Sequence, residues 1–140
     1  MLVQATLVPL FVQVALTFAL MFGMIFTRIG VLNDKSVHPR DIVLGQPNWP
    51  EQPTKFANAF RNQFELPVLF YVLCILAIIT RQADFLFVIL AWIFVAARLA
   101  QAFIAVTSNK LQLRGGFFFL SAIVLVIMWA LFAIDVIFGL

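Results

Sequence analysis

From Leu2 to Phe26 the chain carries no charged side chain. That run is about 25 residues long, enough to cross a bilayer with some tilt. It lacks a basic leading region, and its apolar stretch is too long for a cleavable signal. Three further apolar runs follow, over about 55–80, 85–106 and 116–140. The expectation is an all-α integral membrane protein. Its helices would run up and down as a four-helix bundle, in one four-span domain over residues 1–140. Composition agrees, with 64% of residues hydrophobic and 11% charged, about half the charged share of a soluble domain.

Several function classes drop out on the residues present. There is no Walker loop, HExxH, GxSxG or CxxC pattern, so chemistry on a protein nucleophile and base is not expected. No basic cluster interleaved with aromatics occurs, which argues against nucleic acid as a partner. His38, the lone histidine, sits beside Pro39 with no second ligand near, and reads as a loop residue rather than a metal ligand. Cys74 lies inside an apolar run with no cation at helical spacing. It reads as a small buried hydrophobe, not a reactive thiol. Asp135 reads as an acid close to the membrane interface.

Polar residues collect in two places. The loop from Gly30 to Thr54 holds Asp34, Lys35, His38, Arg40, Asp41 and Glu51. Its prolines (Pro39, Pro47, Pro50 and Pro53) keep it out of helix. A loop of this length suits a segment that folds over a site, and Trp49 suits the headgroup level. The second place is the entry to the second run. At 100° per residue, Lys55, Asn58, Arg61, Asn62 and Glu65 share an arc of roughly 120°, while Gln63 points elsewhere. Thr54 is the expected N-cap, and a bend is expected just past Glu65, where Pro67 removes a backbone donor. Arg61 and Glu65, four apart, are expected to pair directly or through Arg98. On the third run Arg98 and Gln101 share one face.

Orientation follows from the basic residues. Arg28, Lys35, Arg40, Lys55, Lys110 and Arg114 flank the long loop and the third loop, whereas the opposite side holds Arg81. The positive-inside rule places those two loops in the cytoplasm and both termini outside it. Arg61, Glu65 and Arg98 then converge toward one membrane depth. The result is a cationic, amide-rich pocket suited to an anionic ligand at the membrane boundary.

Asn62-Gln63-Phe64-Glu65, followed by Pro67 and by Leu69-Phe70-Tyr71, resembles the Asn-x-x-Glu signature of the MAPEG family, the membrane-associated proteins in eicosanoid and glutathione metabolism. Ala97-Arg98-Leu99-Ala100-Gln101-Ala102-Phe103 and Gln112-Leu113-Arg114 extend the resemblance over nearly the whole chain, toward bacterial-type members. It implies a homotrimer in a bacterial inner membrane, with glutathione bound between protomers on the cytoplasmic side. Arg114 matches the arginine implied to stabilise the glutathione thiolate. Arg28, Asn62 and Glu65 match other positions of that site, and Lys55 stands where an arginine is common. Asn58, Arg61, Arg98 and Gln101 complete the expected glutathione site. Asn58 stands where arginine is frequent, with Arg61 placed to supply the charge. Leu66, Leu99 and Phe103 stand where tyrosines are common, and Gln101 where many bacterial members carry histidine. Two functions follow as expectations. One is a glutathione-dependent transferase or peroxidase acting on lipophilic electrophiles. The other is a catalytically inactive structural or accessory subunit of a larger membrane complex. Neither calls for a metal.

Overall fold

The computed structural model of the chain describes residues 2–139. Its helices are α1 (Val3–Asn33), α2 (Glu51–Asn62), α3 (Leu66–Ile79), α4 (Phe85–Val106) and α5 (Leu111–Ile137). A short 3₁₀ turn at Pro39–Asp41 lies in the loop after α1. Among the described residues there is no strand. Among the described residues, four helical stretches are long and apolar enough to cross a membrane, with α2 and α3 counted together as Glu51–Ile79. The expected ends of the domain, at residues 1 and 140, lie outside the described residues.

The core is built where α3, α4 and α5 meet. Phe70, Leu73, Cys74 and Ala77 pack against Phe87, Ala91, Phe94 and Val95, with Val124, Leu125 and Met128 closing the cluster. Phe70 and Phe94 stack with ring centroids 4.6 Å apart. In lipid, helices associate through close packing rather than water exclusion, so small residues such as Ala77 and Ala91 matter at these seams. Gly23 of α1 does the same against α2: the Phe56 ring occupies the space a Cβ would need. Phe11, Phe18, Ile75, Phe119 and Val126 face outward, as lipid-facing positions do.

Two cross-helix contacts fix the frame. The Leu2 N–H donates to Ala83 O at 3.0 Å, which seats the start of α1 on the turn between α3 and α4. At the other end Gln52 Nε2 donates to Val106 O at 3.2 Å and Lys55 Nζ to Thr107 O at 2.8 Å. These bonds seat the start of α2 on the end of α4. They also satisfy carbonyls that the end of a helix leaves without partners.

The boundaries differ from expectation in three places. First, α1 runs on to Asn33 rather than ending near Phe26, and α5 begins at Leu111, five residues before the expected start at 116. Charge at a helix end sits in the headgroup layer and does not stop the helix. Second, α2 begins at Glu51 behind Pro50, so Thr54 is not the N-cap. Pro53 falls in the first turn, where a missing N–H costs nothing. The Thr54 hydroxyl instead donates to Pro50 O at 2.8 Å.

Third, the second span is not one bent helix. It breaks at Gln63–Glu65, before Pro67. The proline ring would collide with the carbonyl of the residue four before it, which is Gln63. The chain answers with tightened i to i+3 bonds from Gln63 N, Phe64 N and Glu65 N to Phe60, Arg61 and Asn62 carbonyls. Pro67 then sits near the start of α3. As a result Arg61 and Glu65 belong to different elements. Both are exposed and form no ion pair with each other. The one ion pair among the described residues is Lys55 Nζ–Glu51 Oε1 at 3.1 Å.

Candidate functional site

The helix break opens a cleft of about 390 Å³ beside α4 and the first turns of α5. Asn58, Arg61 and Asn62 reach it from α2, and Glu65 from the break itself. Gln101 faces it from α4, and Arg114, Leu111 and Phe118 from α5. Six of the eight expected glutathione-site residues therefore border one space. The exceptions are Arg98 and Arg28.

The cleft carries two guanidinium groups against one carboxylate. Arg114 is half-buried in the first turn of α5, and its Nη1 donates to Asn109 Oδ1 at 2.6 Å. Asn109 has a φ of 53°, in the left-handed region that asparagine tolerates better than most side chains. No side chain caps α5, and its first intrahelical bond comes from the Arg114 N–H to Lys110 O at 2.9 Å. The N–H groups of Leu111, Gln112 and Leu113 thus have no partner within the helix. A guanidinium beside free N–H groups at the positive end of a helix favours an anion. Gln101 adds a second signal. It is 2% exposed, and its Oε1 has no hydrogen-bond partner. A buried amide oxygen without a donor is costly, and a ligand N–H in the cleft would relieve it.

Arg98 does different work. It is fully buried, and its Nη2 donates to Asn62 O at 3.0 Å. Its guanidinium lies 5.7 Å from the centre of the Phe118 ring. Asn62 is the last residue of α2, at the negative end of the helix dipole, and its carbonyl accepts from the Arg98 guanidinium in addition to the longer 3.3 Å bond from the Glu65 N–H. Arg98 therefore ties α4 to the end of α2 and sets the position of Asn62. It lies behind the cleft wall.

Gln13 and Gln63 hold the same break from the other side. Gln13 Nε2 donates to Gln63 Oε1 at 2.8 Å, and Gln63 Nε2 donates to Ala59 O at 2.9 Å. Both side chains are buried. The expectation that Gln63 points away from the polar stripe holds, but its partner on α1 was not anticipated. The available signal was an amide in each of two apolar stretches, since such groups in lipid require partners.

Arg28 borders a second cavity, also of about 390 Å³, enclosed by the long loop. Its guanidinium stacks on Trp49, 4.7 Å from the ring centre. Asn58 and Arg61 line both cavities. Lys55 lines neither, being engaged with Glu51 and Thr107. Leu99 and Phe103 are exposed on α4, and Tyr71 is half-buried beside Phe70. Among the described residues no group of His, Cys, Asp and Glu comes together as metal ligands would.

A family model described as the MAPEG family matches residues 6–134. The chain belongs to the MAPEG family. No curated protein and no solved structure matches it. Membership makes this an integral membrane protein of the glutathione and eicosanoid metabolism type. The match spans the cleft from Asn58 to Phe118, so the break in the second span and the arginine opening α5 both fall within the family region.

Proposed function

We propose that this MAPEG protein binds glutathione in the cleft between the end of α2, α4 and the start of α5, and presents its sulfur to lipophilic electrophiles or hydroperoxides from the bilayer. The observation that carries the reading is the donor set. Arg61, Arg114 and free α5 N–H groups are suited to carboxylates and a thiolate. Glu65 is suited to an ammonium, and the unpartnered Gln101 Oε1 to a peptide N–H. A volume of about 390 Å³ lies within the usual range of small-molecule sites, about 300–1,000 Å³.

Glutathione supplies the nucleophilic sulfur. The protein's part is to hold that sulfur ionised and in place. Arg114 favours the thiolate by charge and hydrogen bonding. The bond that its guanidinium donates to Asn109 Oδ1 fixes it in place, so little reorganisation is needed as charge develops. Arg98 keeps Asn62 at the cleft by gripping its carbonyl. A homotrimer with the long loop in the cytoplasm and both termini outside, in a bacterial inner membrane, completes the reading. The polar side of α2 would then meet a neighbouring protomer instead of lipid.

Thiolate absorbance on titrating glutathione into purified protein is the test. Wild type and Lys110→Ala should give the signal near neutral pH, and Arg114→Ala should lose it. Absence of the signal in wild type, with no calorimetric binding at millimolar glutathione, would refute the reading.

A second reading has its own support. No phenol lines the cleft, and the positions where the family's tyrosines are expected, Leu99 and Phe103, are exposed on α4. On that reading the protein is a catalytically inactive structural or accessory subunit, and its cleft is a seam with another chain of a larger membrane complex.

A further inference from the structure

The cavity beneath the long loop has features that glutathione binding in the first cleft leaves unexplained. Arg28 and Arg61 both border it, and no acidic side chain does. Among the described residues neither arginine is in an ion pair, and Arg28 Nε is buried without a hydrogen-bond partner. Two cations facing one enclosed space call for an anion.

The loop itself indicates which anion. Val43 and Leu44 are 74% and 86% exposed, although they adjoin the cavity-lining Gly45 and Gln46. The segment is not loosely built. The Leu44 N–H donates to Gln46 Oε1 at 2.9 Å, and Asn48 Nδ2 to Asp41 O at 2.7 Å. Two apolar side chains are thus held outward beside a basic cavity, at the end of the bundle that carries most of the basic residues. In water that exposure gains nothing. At a membrane surface the pair enters the acyl layer while the arginines meet the phosphates. Trp49, stacked under Arg28, belongs at the same level.

We propose that this cavity binds the phosphate headgroup of an anionic phospholipid, with Arg28 and Arg61 as its cationic ligands and Val43 and Leu44 seated in the lipid beside it. The proposal stands without the glutathione reading. If both hold, Arg61 and Asn58 connect the two sites, and each ligand changes the other's affinity by the same factor.

Native mass spectrometry from mixed phosphatidylglycerol and phosphatidylcholine discs, without glutathione, provides the test. Wild type should retain phosphatidylglycerol preferentially. Arg28→Gln and Arg61→Gln should each weaken that retention by more than about fivefold, the factor that any single basic side chain contributes at an anionic surface. Arg61 is exposed, so Arg61→Gln keeps the test valid if loss of the Arg28–Trp49 contact impairs folding. Lys110→Gln, a cation at the same end of the bundle but outside the cavity, should lose no more than that generic factor. Val43→Ser with Leu44→Ser should lower retention with both arginines intact. Equal losses in Lys110→Gln and Arg61→Gln would mean diffuse surface attraction and overturn the proposal. Displacement of phosphatidylglycerol by inorganic phosphate would assign the cavity to a free anion and overturn the lipid as ligand. Loss of retention only when protomers separate would assign the loop to an interface between copies, and would overturn it too.

Discussion

Gln63 bears more on the helix break than Gln13 does, and the difference is measurable. Gln63→Leu removes the bond to Gln13 and the bond to Ala59 O. The Gln63 backbone N–H goes to Phe60 O, so the side chain serves Ala59 O in its place. After the substitution Ala59 O and the whole Gln13 amide are buried without partners. Each orphaned group costs about 1–3 kcal/mol. Gln13→Leu removes one bond and leaves Gln63 Oε1 orphaned, but it also deletes Gln13 Oε1, which already lacks a partner. Those last two changes nearly cancel, leaving about 1 kcal/mol for the lost bond. We therefore expect Gln63→Leu to destabilise by about 2–6 kcal/mol and Gln13→Leu by about 1 kcal/mol. The double variant should fall short of the sum by about 0.6–1.7 kcal/mol, the coupling found for side-chain hydrogen bonds in membranes. Reversible unfolding in mixed micelles, followed by far-UV circular dichroism, measures all three. Equal costs for the two single variants, or strict additivity in the double, would show that the amides are hydrated and do not hold the break.

Gly23→Ala should destabilise by about 1–3 kcal/mol through overpacking against the Phe56 ring, and Gly23→Ala with Phe56→Leu should recover most of that loss in the same unfolding assay. Arg98→Met should retain stability within about 1 kcal/mol, or gain it, because a buried charge without a carboxylate partner is replaced by apolar bulk. Its glutathione affinity by calorimetry should fall, since Asn62 loses its tether; unchanged affinity would remove Arg98 from any role at the cleft. The Ser36 hydroxyl, and then its N–H, hold the Asp34 carboxyl below its ordinary range. A lowered value means that the stabilisation of this turn is present above the unfolded pKa and is lost as pH falls through the folded one. Carboxyl NMR titration should therefore find Asp34 low in wild type and closer to ordinary in Ser36→Ala. Reporter fusions in the 34–53 loop should read cytoplasmic and terminal fusions outside; a cytoplasmic C-terminus would reverse the orientation.

The spans were legible because charge is nearly absent from them, and length alone then distinguishes a membrane helix from a core helix. The composition of the cleft was legible too, since Asn58, Arg61, Asn62, Glu65, Gln101 and Arg114 are polar residues at compatible depths. The place of the break was not. Proline marks a disruption, but whether the chain bends through it or ends a helix before it depends on partners elsewhere, here Gln13 and Arg98. The direct Arg61–Glu65 pairing failed for the same reason, because spacing by four means adjacency only within an unbroken helix. Arg98 looked like a ligand because it is an arginine among candidates. Its role became visible only with its burial and with the carbonyl it holds. The separation of Arg28 from Arg114 into two cavities depends on how the long loop folds, and a proline-rich loop carries no periodicity from which that could be read.

The bond from Arg98 to Asn62 also has a consequence for biosynthesis. An arginine in the middle of an isolated apolar helix opposes insertion by about 2.5–3.5 kcal/mol. The carbonyl that accepts it belongs to α2, which leaves the ribosome first. When α4 reaches the membrane, its partner is already waiting, provided that the earlier helices have stayed beside the insertion site. Integration of α4 is thereby made conditional on correct placement of α2. A chain whose second span has been lost or inverted would meet α4 with no acceptor for its charge, and the defect would register as poor insertion before any folded protein existed to be inspected.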